Sequence, residues 1–167
     1  MLTANLFTNS AAALAFSPNA RLLAASGFDQ TIIWDVGTRK ALRRLTIEGG
    51  RLAFSPASKT LAVTSIIFHM ESGQVLLWDV NGNESMVLKG FAMGFDAMAF
   101  SPNSKTLAAS NVDGTIRLLH RATGQELFAL EGAPWDWTRF VQFDPKGASL
   151  RITFRDGVLE WTAFNTN

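Results

Sequence analysis

The sequence predicts an all-β chain made of four repeated units, and three observations carry that reading. Four segments align without gaps: FSPNARLLAAS from Phe16, FSPASKTLAVT from Phe54, FSPNSKTLAAS from Phe100 and FDPKGASLRIT from Phe143. Each leads into short apolar stretches bounded by Pro, Gly, Asn or Asp, the pattern of strands and tight turns. No window carries the 3.6-residue apolar period of an amphipathic helix with capping residues. The Phe-to-Phe spacings are 38, 46 and 43 residues. A fixed period of that size marks a repeat architecture. The units run over about 11–48, 49–90, 94–132 and 137–164 within one domain, 1–167.

Within a unit, Pro follows Phe by two residues, as Pro18, Pro56, Pro102 and Pro145, which uses four of the five prolines. Pro fixes φ and a following Asn tolerates the left-handed region, so Ser-Pro-Asn opens a turn. Leu follows Phe by seven (Leu23, Leu61, Leu107, Leu150) and a hydroxyl by ten (Ser26, Thr64, Ser110, Thr153). Three units place Asp thirteen residues after the Phe, as Asp29, Asp113 and Asp156. A strand pattern then follows: TIIWDV from Thr31, TIRLL from Thr115, VLEW from Val158. The second unit instead holds the insertion SIIFHMESG ahead of QVLLWDV. Phe16, Phe54, Phe100 and Phe143, with the recurrent Leu and the strand Trp, are expected in the core between units. Arg39-Lys40-Ala41-Leu42-Arg43-Arg44 is the one basic cluster. Extended as an outermost strand, it puts Lys40 and Arg44 on one face and Arg39 and Arg43 on the other. Such charges guard a sheet edge; the alternative is a surface for an acidic peptide or phosphate, weakened by salt.

Composition narrows the function. Fifteen basic and fourteen acidic side chains give a net charge of +1, which supplies no bulk attraction for nucleic acid or an anionic membrane. The absence of cysteine excludes a disulfide scaffold, a thiolate zinc site and a cysteine nucleophile. His69 and His120 lie 51 residues apart and read as turn or rim side chains. No nucleophile elbow, phosphate-binding glycine loop, metalloprotease helix or calcium loop is present. Glu48, Glu71, Glu84, Glu126 and Glu131 fall in loops or outer strands, which disfavours a carboxylate pair. The expectation is a protein that is no enzyme and takes no cofactor or metal. The start, MLTANLFTNSAAALAFSP, has no basic residue and matches a secretory signal poorly. No window approaches the roughly 20 apolar residues of a membrane span. A cytoplasmic location, or a nuclear one, is therefore expected, and the sequon Asn83-Glu84-Ser85 reads as a polar turn.

With a period of roughly 40–45 residues, four strands per unit and a Trp-Asp ending, the chain resembles the WD-repeat β-propeller family. Trp34-Asp35 and Trp78-Asp79 match the name-giving dipeptide. Asp29-Gln30-Thr31-Ile32 and Asp113-Gly114-Thr115-Ile116 match its Asp-Gly-Thr-Ile turn. The resemblance covers Ala11 to Trp161. It implies about four blades, each a four-stranded antiparallel sheet, in a partial or small propeller. Family blades usually carry Gly-His before the innermost strand; here those positions read Gly49-Gly50, Gly90-Phe91 and Gly132-Ala133. Leu119-His120 replaces the third Trp-Asp, and Trp161 lacks an acidic successor. Asp29, Asp113 and Asp156 are accordingly expected to be satisfied by turn amides or water. Three arrangements fit the length: a closed ring of four blades, an arc completed by a second copy, or part of a longer chain. The last two are favoured. Leu2–Thr8 would complete the outer edge of the last blade if the ring closes.

The loop Ala133-Pro134-Trp135-Asp136-Trp137-Thr138-Arg139 joins an outer strand to the next inner strand. Its two Trp, flanked by Asp136 and Arg139, have the composition of an interface hot spot; alternatively the rings cover the gap left by the absent Gly-His pair. Phe28, Val112 and Arg155, each just before the turn Asp, belong to the same end, as do Phe95 and Asp96. The resemblance implies partner contacts at such top-face positions. The candidate set is Phe28, Phe95, Asp96, Val112, Trp135, Trp137, Arg139 and Arg155. The expected function is a non-catalytic scaffold for protein or peptide partners, with a second copy of the chain among them, and without nucleic acid or membrane. An enzyme or small-ligand protein using a central channel is the competing class, and a degenerate copy without independent function the third.

Overall fold

A computed structural model describes residues 11–27, 29–46, 49–65, 73–82, 85–91, 95–131 and 138–162. Fifteen strands are assigned in it, and no helix is present among the described residues. The first sheet holds β1 (Ala11–Phe16), β2 (Leu22–Gly27), β3 (Thr31–Asp35) and β4 (Lys40–Leu45). The second holds β5 (Gly49–Phe54), β6 (Thr60–Ser65), β7 (Gly73–Asp79) and β8 (Ser85–Phe91). The third holds β9 (Phe95–Phe100), β10 (Thr106–Asn111), β11 (Thr115–His120) and β12 (Glu126–Glu131). The fourth has three described strands, β13 (Phe140–Phe143), β14 (Ser149–Thr153) and β15 (Val158–Thr162). Every pairing is antiparallel between consecutive strands, so each sheet is a meander and each repeat unit a blade. The expected outer strand from Leu2–Thr8 lies outside the described residues.

One turn is built four times. The residue after the repeat Phe accepts, through its side-chain oxygen, the N–H five residues on: Leu22 to Ser17 (2.9 Å), Thr60 to Ser55 (3.1 Å), Thr106 to Ser101 (2.9 Å), Ser149 to Asp144 (2.7 Å). The backbone N–H of the same residue donates across the same gap, at 2.8–3.0 Å in all four blades. The chain reverses through a left-handed residue at the same repeat position, Ala20, Ser58, Ser104 and Gly147. These turns also join neighbours. The Asn19 N–H donates to Ser58 Oγ (3.2 Å) and the Ala57 N–H to Ser104 Oγ (3.0 Å), which links the first blade to the second and the second to the third.

Blades pack face to face through their inner strands, β1 on β5, β5 on β9 and β9 on β13. No comparable contact joins β13 to β1 among the described residues, so the four blades form an open arc. A repeated apolar row faces the preceding blade: Phe54–Leu61–Trp78, Phe100–Leu107–Leu119 and Phe143–Leu150–Trp161. The first blade carries the same row, Phe16–Leu23–Trp34, with no described blade beyond it. This corrects one expectation. Phe100 is 8% exposed, and Phe54 and Phe143 pack at the margins of buried clusters, but Phe16 is 63% exposed. Its side chain has the core identity without a neighbour to supply the core.

A second expectation fails on register. The outermost strand β4 is exposed along most of its length, but its pairing with β3 shifts between Ile33 and Trp34. Arg44 then shares a face with Ile32, whereas Arg43 and Lys40 lie opposite Ile33 and Asp35 on the other. A β-bulge inverts the alternation on which the sequence count depended. Arg39 stands in the turn, at φ 59°.

Burial sets unequal penalties for the same truncation. Phe100→Ala should cost about 3–5 kcal/mol of unfolding free energy, whereas Phe16→Ala in the isolated chain should stay within about 0.5 kcal/mol. Denaturant titration of the two variants measures the difference, and equal losses would place Phe16 in a core.

Candidate functional site

The end of each blade where the inner strand begins is also where its second and third strands are joined. Phe95 at the start of β9 is paired with Asn111 at the end of β10, and Phe140 at the start of β13 with Thr153 at the end of β14. The turns that carry Val112-Asp113 and Arg155-Asp156 follow directly. The structure thus brings Phe95, Asp96, Val112, Arg139 and Arg155 to one end of the arc. Phe28, Trp135 and Trp137 lie outside the described residues.

A bulge organises this end. The inner strands β1, β5 and β9 each carry one extra residue against their partners in the same stretch. In β9 it is Asp96, which no residue of β10 opposes. A repeated hydroxyl pins the next residue. Thr64 Oγ1 accepts the Arg51 N–H at 2.7 Å and Ser110 Oγ the Ala97 N–H at 3.0 Å. In the first blade Ser26 Oγ instead donates to the Gly50 carbonyl of the second, at 2.8 Å. Strand hydroxyls that the family resemblance would tie to histidine are satisfied by inner-strand backbone. The turn Asp is satisfied locally in the third blade, where Asp113 Oδ1 accepts the Thr115 N–H at 2.8 Å. Asp29, Asp113 and Asp156 are all solvent-exposed.

The candidate residues divide by environment. Phe95 is half-buried, its ring 4.5 Å from that of Phe91 at the margin of the cluster between the second and third blades. Asp96 is 7% exposed. Burial pushes its carboxyl above the usual carboxylate range, against the Thr138 N–H and the Arg51 guanidinium, which both pull it down. Those two opponents sit on the blades either side, so Asp96 is held between three blades. Arg139 and Arg155 are exposed and Val112 half-buried. Arg51 was not among the sequence candidates, yet it is exposed at the same end and faces Asp96. Its repeat position, three residues before the Phe, holds Ala13, Ala97 and Phe140 elsewhere, and that lone charge was the available signal. Elsewhere Asp35 and Asp144 sit below the usual carboxylate range, because N–H donors in their own turns, led by Thr38 and Ser149, bond the charged form. Three buried polar groups at the site end, Thr31 Oγ1, the Asn111 amide and Thr138 Oγ1, have no hydrogen-bond partner among the described residues.

Comparison with known proteins agrees with the blade geometry. The family model described as WD domain, G-beta repeat, matches residues 3–35 and 82–119. Those two segments are WD repeats. The first match closes on Trp34-Asp35 at the end of β3, and the second on Leu119 in β11, so the matched repeats are those ending in the first and third blades. The fourth blade and the second as far as β7 share the turn and apolar row but fall outside the matched segments, whereas β8 of the second blade lies within the second match. No curated protein matches the chain. WD repeats generally mediate protein–protein interaction.

The raised carboxyl of Asp96 has a signed consequence. An acid whose folded-state pKa lies above its unfolded value weakens the fold when ionised, and that loss is recovered as pH falls through the raised value toward the ordinary one near ~4. Asp96→Asn keeps an acceptor for the Thr138 N–H and removes the buried charge. Its melting temperature should exceed that of the parent chain at pH 7, and scanning calorimetry should show the gap closing on acidification. A lower melting temperature at pH 7 would mean that the Arg51 attraction outweighs burial.

Proposed function

We propose that the chain is a non-catalytic interaction platform that docks protein or peptide segments on the end of the blades where the inner strands begin. The observation that supports this most is the set of exposed cations there. Arg51, Arg139 and Arg155 are exposed and none forms a salt bridge with a described residue. Two of the three backbones are fixed: the Arg51 N–H bonds Thr64 Oγ1 at 2.7 Å and the Arg139 N–H bonds the Thr153 carbonyl at 2.8 Å. Guanidinium groups carried on hydrogen-bonded backbone, Arg51 in β5 and Arg139 just before β13, present planar donors to carboxylates and carbonyls. Asp96 is buried between blades, with the Arg51 guanidinium facing it. Asp113 already accepts a backbone N–H of its own turn. Exposed Asp29, Asp113 and Asp156 lie at the same end, so it offers guanidinium donors beside carboxylates, and a segment whose own carboxylates or carbonyls reach the arginines fits it.

Selection of random-peptide phage against the immobilised full chain tests this. Enriched peptides should bind Arg51→Glu/Arg139→Glu at least ~10-fold more weakly, a loss of about 1.4 kcal/mol. They should bind Arg43→Glu, altered on the outer strand β4, as they bind the parent. Undiminished binding to the double variant would remove this end from the site.

A further inference from the structure

The repeat is broken in two blades. In the fourth, Gln142, Arg151 and Glu160 replace the alanines and the leucine or isoleucine of the row that faces the next blade. An Arg151–Glu160 ion pair at 3.6 Å suits that face to water. In the third blade the break lies inside the stack. The third-strand residue paired with the repeat Leu is Trp34, Trp78 and Trp161 in the other blades, and Leu119 here. Two residues earlier, where the others have Ile32, Leu76 and Leu159, stands Arg117. Both side chains face the second blade, and the outer strand they face departs as well. Met86 in β8 holds the place that Phe128 holds in β12. Between the third and fourth blades that place is closed by stacked rings, Phe128 on Trp161 with centres 5.6 Å apart. Between the second and third, Met86 and Leu119 instead border a cavity of about 310 Å³. Leu88, Phe91, Lys89 and Arg117 complete most of its wall. At one end the turn comes so near β8 that a Cβ on Gly124 would strike Leu88, so that wall is bare backbone.

We infer that this cavity is a docking site for an aromatic side chain, tryptophan above all, carried in an acidic segment of a partner protein. Shape argues for the ring. Three blades put an indole where Leu119 stands, and a leucine in that place leaves space unfilled. The lining argues for it too. The Arg117 guanidinium lies 5.3 Å from the centre of the Phe91 ring, and its Nε 3.5 Å from Glu126 Oε2, which holds it at the cavity wall. A planar guanidinium is a favoured neighbour for an aromatic face, and the Met86 thioether is another. Charge argues for the flanks. Lys89 is exposed and forms no salt bridge with a described residue, so Lys89 and Arg117 face the single carboxylate of Glu126 across the cavity. An aromatic residue beside Asp or Glu answers both features, with the ring inside and the carboxylate at Lys89. Neither Arg51 nor Arg139 lines this cavity, so it is a second surface beside the docking end.

Short peptides titrated into the full chain by calorimetry test this, with the methyl resonance of Met86 reporting where they bind. Acetyl-Glu-Trp-Glu-amide should bind saturably and move that resonance through its ring current. Acetyl-Glu-Leu-Glu-amide and acetyl-Lys-Trp-Lys-amide should bind at least ~10-fold more weakly. Leu119→Trp, which restores the residue of the other blades, should melt no lower than the parent and bind the first peptide at least ~10-fold more weakly. Arg117→Leu, which matches Leu76 and Leu159, should keep the parent circular dichroism and weaken binding about 3-fold. Arg51→Glu/Arg139→Glu should bind the peptide as the parent does, so failure of the docking end and failure of this cavity are told apart. Absence of saturable binding overturns the inference, whether the cavity is too shallow or another part of this chain fills it. So does undiminished binding to Leu119→Trp or to Arg117→Leu. Equal binding of the leucine peptide overturns it as well, since the ring would then count for nothing.

Discussion

Everything in this molecule depends on the stacking of one apolar sheet face against the next. A four-stranded meander has two faces and cannot bury either by itself. The second and third blades are covered on both sides; β6 is buried throughout, and β10, like β2 of the first blade, in five of its six residues. The side chains that do this are ordinary: an alanine pair with Ile or Leu on one face, and Phe, Leu and Trp or Leu on the other. Large rows set against small ones let sheets interdigitate at native density. Stability accumulates between neighbours, as in other stacked arrays, and the ends of the stack carry the exceptions.

The turn after each repeat Phe plays a subordinate but uniform part. A side-chain oxygen and a main-chain N–H close the same gap four times, and a left-handed residue reverses the chain. Ser or Asp serves equally because only an acceptor is needed. That turn made the architecture legible in the sequence. Phe, an acceptor (Ser or Asp) and Pro recur in register in all four units, and the four alignments put the blades where they are found. What the repeat could not convey was position within the stack. Phe16 and Phe100 are the same residue in the same motif, yet one is exposed and the other buried because the first blade has no described neighbour on that side. The replacement of two alanines and a leucine by Gln142, Arg151 and Glu160 was visible in the sequence, but its meaning needed the pairing register.

The functional end was legible in part, and the bulges explain the remainder. Counting from the turn Asp correctly brings Val112 and Arg155 beside the inner-strand starts, since that follows from antiparallel connectivity alone. Counting alternation fails wherever an extra residue enters a strand. In β4 a bulge reassigned Lys40 to the face of Arg43. In β9 the bulged residue is Asp96 itself, which is buried between three blades and not offered to solvent. Arg51 escaped notice because its importance comes from a neighbour 45 residues further along the chain. A carboxylate drawn inward at Asp96 leaves Arg51 exposed beside it, at an end that also carries Arg139, Arg155 and the exposed turn Asp residues.

The central claim is that cohesion runs through an open stack whose middle blades are covered on both faces, whose first blade leaves the strip along β1 exposed, and whose fourth blade has one polar, exposed face. Native-state hydrogen exchange, read strand by strand, tests it most directly. The slowest amides should fall in β6, β7, β10 and β11, with β14 faster because the polar face of its blade is wet. Equal protection of all four blades would contradict the account, since it would require β13 to be packed on β1 in a closed ring.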